Sequence, residues 1–221
     1  MVVQIKVLEK VLDANDKIAG DNRRMFAEKK IIAVNLMSGP GAGKTTVLEQ
    51  ILPKLARKAS VGVIEGDIAT TADAERIAAL GVPVVQINTD KLGGSCHLEA
   101  LAIQTALADL PTDTLRWLFV ENVGNLVCPA EFDLGETLRV GVLSVAEGED
   151  KPIKYPLLFR VIDVLLLTKV DLLPHLRFDL DRVLKNVQTV HGDLRVIRFS
   201  SVTGEGVDEF LSWLESRAAS G

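Results

Sequence analysis

Apolar positions along this chain follow two patterns, one helical and one typical of buried strands. Over residues 4 to about 28 they recur at helical spacing between charged positions, which predicts one amphipathic helix. Farther along, short apolar runs alternate with helical segments. We predict that these runs are strands, at residues 31–37, 61–65, 82–87, 117–121, 140–146, 164–168 and 194–199.

The alternation of strands and helices predicts the fold class. Several runs are apolar throughout, as expected of strands covered on both faces. We therefore expect an α/β fold of three layers, with a doubly wound, mainly parallel sheet and a ligand site outside the carboxyl ends of its strands. The predicted helices between the strands lie at about 44–58, 72–80, 97–109, 178–190 and 206–218.

Two further expectations concern the organisation of the chain. Residues 1–30 are predicted to be an N-terminal amphipathic helix and residues 31–221 one α/β domain. We interpret this helix as a cover for the sheet, although a dimer contact or a docking surface for a partner would fit the same pattern. Residues 147–156, with two prolines and mixed charge, are predicted to be an exposed loop.

Composition narrows the classes of function. The chain has 221 residues and a formal net charge of −5, which argues against a broad nucleic-acid-binding face. No apolar run reaches the roughly 20 residues of a membrane span, and Gln4, Lys6 and Glu9 interrupt the apolar core that a signal peptide requires. We expect a cytoplasmic protein, in which metal binding or burial explains the two cysteines better than a disulfide does.

A glycine-rich turn indicates nucleotide chemistry. Between a predicted strand and a predicted helix, the sequence SGPGAGKT has the context of a phosphate-binding P-loop, apart from Ser38 in place of the first glycine. Backbone N–H groups and the helix N-terminus attract phosphate; Lys44 is expected to reach the β- and γ-phosphates, and Thr45 to hold Mg²⁺. The alternative is a structural turn. The predicted nucleotide-binding residues are Gly39, Gly41, Ala42, Gly43, Lys44, Thr45 and Thr46.

Two later segments favour guanine over adenine. Thr168-Lys169-Val170-Asp171 follows a predicted strand and resembles the [NT]KxD element of GTPases. One carboxylate, that of Asp171, can accept both N–H donors of the guanine edge, and the stem of Lys169 can cover the base plane. After the next strand, Ser200, Ser201 and Val202 resemble the loop that caps guanine O6. We therefore predict a P-loop GTPase that binds GTP and GDP.

Two acidic residues at predicted strand ends are candidates for Mg²⁺ or the attacking water. Glu121 begins Glu-Asn-Val-Gly, which resembles the DxxG element that senses the γ-phosphate, and Asp67 lies on the same predicted rim. The alternative for each is capping of the next helix. The predicted catalytic residues are Lys44, Asp67 and Glu121. Because no Gln or Arg is recognisable as a catalytic finger, slow intrinsic turnover is expected.

The two cysteines lie in unusual surroundings, Cys96 next to His97, and Cys128 before a proline. Thiolate and imidazole favour Zn²⁺, Ni²⁺ or Cu over Mg²⁺. Their spacing matches no recognised zinc motif, and a cysteine is often a small buried apolar residue. Residue chemistry by itself leaves both interpretations open.

Five segments in order, SGPGAGKTT, EGDIATTADAERI, CHLEA, FVENVGNLVCPAEFDLGE and LLLTKVDLL, resemble the HypB family over nearly the whole chain. The resemblance implies a GTPase that helps insert nickel into NiFe-hydrogenase. It also implies that Cys96, His97 and Cys128 bind Zn²⁺ or Ni²⁺ near a GTP-dependent homodimer interface. A nickel-carrying accessory protein and the hydrogenase large subunit are the implied partners. The proximity of Cys128 to Glu121–Gly124 suggests a route from nucleotide to metal.

The departures from the family pattern limit what carries over. Residues 98–101 lack the further histidine of some members, and the N-terminal helix has neither Cys nor His, so nickel storage is not expected. Three alternatives stay open: a urease-maturation GTPase, although its Cys-Pro-His signature is missing, a P-loop small-molecule kinase, and a metal-binding scaffold that acts without nucleotide.

Overall fold

The structure, a computed structural model, describes residues 4–68, 70–90 and 96–219, with side chains from residue 11 onward. Its described strands form one seven-stranded sheet in the order β3-β2-β4-β1-β5-β6-β7, and every neighbouring pair is parallel. The strands are β1 Ile32–Ser38, β2 Val61–Asp67, β3 Val84–Asn88, β4 Trp117–Glu121, β5 Leu138–Ser144, β6 Val164–Thr168 and β7 Arg195–Phe199.

Helices cover both faces of the sheet, and the predicted three-layer, doubly wound fold is confirmed. Among the elements that the structure describes in full, the 3-10 segments Leu107–Asp109 and Val170–His175 extend the connections. The α-helices are α1 Gln4–Lys29, α2 Lys44–Leu55, α3 Ala72–Ala78, α4 Ala100–Ala106, α5 Cys128–Glu131, α6 Lys151–Lys154, α7 Pro156–Val161, α8 Leu180–Val190 and α9 Val207–Ala219.

Burial on both faces explains why the central strands are largely apolar. Every residue of β1, β4 and β6 is buried. Since β1 lies between β4 and β5, the chain reverses its winding direction around β1. In open parallel sheets the ligand crevice lies at the carboxyl ends of the strands beside such a reversal, which places it where β1 continues into the glycine-rich turn.

The N-terminal helix packs onto the sheet layer, in agreement with its default interpretation as a cover. Phe26 of α1 shares a buried apolar cluster with Ala33 of β1 and Ile103 of α4. The amide of Asn22, 1% exposed, donates to Ala100 O at 2.9 Å and to Leu134 O at 3.0 Å. These polar anchors fix α1 against α4 and against the loop before β5.

Two details of the sequence prediction are wrong. Residues 147–156 are not an exposed loop, because α6 lies within them, Pro152 is buried and Pro156 begins α7. The helix predicted at 97–109 begins three residues later, at Ala100, and its last turn is 3-10. Prolines at the first turns of both short helices mimic a loop pattern, since proline is tolerated there.

Two glycines at the contact of α1 with the β5 side of the sheet should respond in opposite ways to alanine. Gly135 has φ +86°, and a Cβ there would lie 2.9 Å from Arg23 N, so Gly135→Ala is expected to destabilise the fold by about 2 kcal/mol. Gly20 lies within α1, and no described residue is in reach of a Cβ there, so Gly20→Ala should stabilise the fold by about 0.5–1 kcal/mol. Urea unfolding midpoints measure both, and equal shifts would contradict the assigned contact.

Candidate functional site

The glycine-rich turn has the geometry of a phosphate-binding loop. It connects the end of β1 at Ser38 to the start of α2 at Lys44. Gly41 (φ +71°) and Gly43 (φ +99°) adopt left-handed conformations, which side-chain-bearing residues rarely adopt. Ser38 has no positive φ, so a serine is compatible with the place of the usual first glycine.

Lys44 and Thr45 point from this loop toward the end of β4. Lys44 is 8% exposed and donates from Nζ to Ser38 Oγ at 3.1 Å. Thr45 Oγ1 donates to Glu121 Oε1 at 2.8 Å. Burial lowers the pKa of Lys44, although the nearby negative charge of Glu121 acts to raise it. The predicted γ-phosphate and Mg²⁺ residues of the P-loop and of β4 are thus brought together.

The structure adds Glu65, which sequence reasoning missed. Glu65 on β2 lies opposite Glu121 on β4 in the parallel register, and both are buried. Burial, reinforced by the neighbouring carboxylate, raises the pKa of Glu65 to about 8; burial also raises that of Glu121 to about 7. Within the described part of the chain, each has one carboxyl oxygen, Oε2, without a hydrogen-bond partner. Such oxygens beside the Thr45 hydroxyl are the donor set that Mg²⁺ prefers.

Asp67 is engaged in a local turn. Its carboxylate accepts hydrogen bonds from Ile68 N at 2.7 Å and from Thr70 N at 2.9 Å. Burial acts to raise its pKa, but these bonds and the Thr70 hydroxyl outweigh burial and lower it. Asp67 is therefore a stable carboxylate on the same rim as Glu65, because the side chains of positions two apart on a strand point to the same face. Its predicted role toward Mg²⁺ stays a prediction.

A cavity of about 280 Å³ adjoins the P-loop where guanine is predicted to bind. Thr168 Oγ1 donates to Ala42 O at 2.7 Å, and Lys169 Nζ donates to Gly41 O at 2.8 Å. The hydroxyl of Thr168, which stands where asparagine is the usual residue, therefore connects the predicted base-binding loop to the phosphate loop. The cavity is lined by Ala42, Gly43, Thr46, Val47, Thr168, Lys169, Asp171, Leu172, Phe199, Ser201 and Val202.

Asp171 is positioned by the loop after β7. Ser200 Oγ donates to Asp171 Oδ1 at 2.6 Å and accepts from Val202 N at 3.2 Å. Ser201 and Val202 lie on the cavity rim, where Val202 is 80% exposed. The carboxylate predicted to select guanine is therefore held at the mouth of the cavity by the loop predicted to cap O6.

A cluster of thiols and imidazole lies beyond the end of β4. One ligand atom from each of Cys96, His97 and Cys128 lies within 4.8 Å of the others. The two sulfurs are 2.8 Å apart, and the His97 ring stacks on Phe132 at a centroid distance of 3.8 Å. Burial lowers the pKa of His97 despite the nearby Glu99, which favours the neutral, metal-binding imidazole. The three predicted ligands are thus brought together from two segments.

Comparison with known proteins identifies the family. Residues 32–198 match the CobW/HypB/UreG nucleotide-binding domain. The chain is 49% identical over 207 residues to the hydrogenase maturation factor HypB of Escherichia coli K12, which covers 94% of this chain and 70% of that protein. This chain belongs to the HypB family. A relative from Azotobacter vinelandii with the same description is 48% identical, over 96% of this chain and 69% of its own.

Solved HypB structures share the fold of this chain. HypB from Helicobacter pylori in complex with nickel has a TM-score of 0.87 at 34% identity, over 94% of this chain and 96% of that one. The hydrogenase maturation factor from Archaeoglobus fulgidus has a TM-score of 0.86, also at 34% identity, over 94% and 100%. Membership in the HypB family makes this chain a P-loop nucleotide-binding protein of hydrogenase maturation.

Other polar residues near the sites were not singled out from sequence. Glu147 accepts from Ser144 N at 2.8 Å and lies against Gly39 of the P-loop, although its segment was predicted to be an exposed loop. Arg76 reaches Thr46 Oγ1 at 3.1 Å. The sequence held one signal that could have identified Glu65 as a candidate: it precedes Asp67 by two residues, so both side chains lie on the same face of β2. Among the described residues, no helix is long and apolar enough to span a membrane.

The pKa of Glu65 predicts a pH-dependent stability. Its folded-state pKa of about 8 lies above the ordinary value of 4.5, so the folded state holds the proton more tightly than the unfolded state. The stabilisation is complete below about pH 4.5 and is lost as the pH rises toward about 8. In nucleotide-free protein with EDTA, Glu65→Gln should flatten the decline in unfolding free energy between pH 5 and about 8.5.

Urea unfolding across that pH range measures the effect. The exposed Glu28→Gln is the control, since it removes a carboxylate without changing a buried one. Parallel pH profiles for Glu65→Gln and wild type would show that Glu65 does not carry the decline.

Proposed function

We propose that this chain is a Mg²⁺-dependent GTPase that gates the binding and release of nickel during NiFe-hydrogenase maturation. The observation that carries the proposal is the arrangement around β4. Glu121, which ends that strand, is hydrogen-bonded to the P-loop residue Thr45. The chain that follows reaches Cys128, which lies against Cys96 and His97.

The nucleotide half of the proposal rests on complementary groups. Asp171 is proposed to accept the two donors of the guanine edge. Lys44 and the backbone N–H groups of residues 39 and 41–46 are proposed to stabilise charge on the phosphates. Thr45, Glu121 and Asp67 are proposed to hold Mg²⁺, with Glu65 as an additional carboxylate; the ion would neutralise phosphate charge. Hydrolysis of GTP to GDP then proceeds mainly by positioning and charge neutralisation.

The cluster half of the proposal treats Ni²⁺ or Zn²⁺ as cargo. Two thiolates and one neutral imidazole match the ligand preference of these ions. Three ligands leave a coordination position for water or a second copy, so we propose a homodimer that depends on GTP and metal. The nickel complex of the Helicobacter pylori relative supports nickel, and the zinc assignment rests on ligand chemistry.

The proposed partners follow from the family. A nickel-carrying accessory protein would supply the metal, and the hydrogenase large subunit would receive it in the cytoplasm. Delivery to urease is a second candidate, because a relative from Helicobacter hepaticus, 36% identical over 97% of this chain and 88% of its own, is described as a hydrogenase/urease maturation factor.

Base selection by Asp171 is testable by an exchange of hydrogen-bond polarity. Asp171→Asn should weaken GTP binding by about 100-fold and gain affinity for xanthosine triphosphate, whose carbonyl at that edge needs a donor. Fluorescence titration with both nucleotides measures the exchange. Asp193→Asn, an exposed acid in the turn before β7, is the control and should leave both affinities unchanged. Normal GTP affinity of Asp171→Asn would reject the base site.

Nucleotide gating is testable by metal titration. With Ni²⁺ and Zn²⁺ titrated into protein bound to a non-hydrolysable GTP analogue or to GDP, we expect tighter binding in one nucleotide state. Cys128→Ser should lower metal affinity at least about tenfold, since even loss of an outer-shell partner costs that much. It should leave GTP affinity unchanged. Equal metal affinity in both nucleotide states would leave a GTPase without a metal switch.

A further inference from the structure

The segment after β4 contacts the phosphate loop. Asn122 N donates to Leu36 O of β1 at 3.1 Å. Gly124 lies so close to the turn that a Cβ there would be 2.8 Å from Pro40 Cα. Since Glu121 is bonded to Thr45, a rearrangement of the phosphate loop that moves Pro40 or Thr45 must displace this segment.

The same segment is hydrogen-bonded to the other arm of the thiol cluster, the Cys96–His97–Leu98 tripeptide. Asn122 Oδ1 accepts from Leu98 N at 3.2 Å, across 24 residues of sequence. Asn125 Nδ2 donates to Cys96 O at 3.4 Å, across 29 residues. The two asparagines therefore bracket His97, with one hydrogen bond on each side.

The side-chain amide of Asn122 is also held by a hydrogen bond to β1. It is 1% exposed, and its Nδ2 donates to Asn35 Oδ1 at 3.2 Å. Asn35 Nδ2 in turn donates to Glu136 Oε1 at 3.2 Å. Buried amides that are held at both ends resist rotation, because each lost bond would leave a polar group unpaired in a low dielectric. A shift at the end of β4 is therefore passed to Leu98 N.

We propose that Asn122 and Asn125 are positioning residues that transmit the nucleotide state to Cys96 and His97. The inference rests on the proposed function. It extends the proposed coupling to the Cys96–His97–Leu98 tripeptide, which lies far in sequence from the predicted nucleotide-sensing segment. Cys128 follows that segment directly along the chain, whereas the Cys96–His97–Leu98 tripeptide is joined to it by these side-chain bonds across 24 and 29 residues. The Cys128 segment and the Cys96–His97–Leu98 tripeptide then respond to the nucleotide at the same time, so the distances among the three predicted ligands change in one concerted step.

Asn122→Ala and Asn125→Ala test the proposal. The measured quantity is the ratio of Ni²⁺ dissociation constants with GDP and with a non-hydrolysable GTP analogue. Allosteric coupling in proteins gives ratios of about 5 to 150, and we expect each variant to bring the ratio to within about twofold of one. GTP affinity should stay within about threefold of wild type, because neither side chain contacts a predicted nucleotide-binding residue. Asn125 is only half-buried, so its variant keeps the test valid if Asn122→Ala fails to fold.

Asn22→Ala is the matched control. Asn22 is as buried as Asn122, and its side chain donates two hydrogen bonds, one of them to Ala100 near the same arm, but it lies on α1. We expect it to lower stability and to keep the wild-type ratio. If folded Asn122→Ala and Asn125→Ala keep a wild-type ratio that differs from one, this inference is overturned while nucleotide gating stands. A wild-type ratio of one overturns the gating and the inference together.

Discussion

One electrostatic constraint underlies the nucleotide site: a lysine and two glutamates are kept out of water at the carboxyl edge of one parallel sheet. Lys44, Glu65 and Glu121 are each less than 10% exposed. Burial disfavours the charged form of all three, and a single lysine compensates only part of the repulsion between two facing carboxylates. Such an edge is best stabilised by a ligand that brings a divalent cation and phosphate together. The cation then lies near the glutamates, and the phosphate lies near the lysine.

The parallel sheet makes this constraint possible. Because all seven described strands run the same way, the turns after β1, β4, β6 and β7 emerge at one edge. Helices cover both faces of the sheet, and hydrogen bonds connect the turns at that edge. Thr168 and Lys169 bond to the phosphate loop, while Ser200 bonds to Asp171. The predicted base site and the phosphate loop are thus one connected structure, so the position of one loop depends on its neighbours.

The same connectivity extends to the thiol cluster. The chain leaves the nucleotide edge at Glu121 and reaches Cys128 at the start of α5. A second connection runs through Asn122 to Leu98. Thiol and imidazole groups placed on such connections can respond to small movements of the phosphate loop, because packed and hydrogen-bonded segments shift as units rather than deform locally.

The sequence by itself determined the fold class, the strands to within two residues, the phosphate loop and the family, because buried parallel strands and a glycine-rich turn leave local patterns. It misassigned residues 147–156, where prolines at helix starts look like a loop.

Only the tertiary structure placed Glu65 opposite Glu121, Cys96 against Cys128, and Asn122 beneath Leu98. Each of these pairs joins segments far apart in sequence. Their proximity follows from strand order and register, which are set by packing over the whole sheet and leave no signal at any single position.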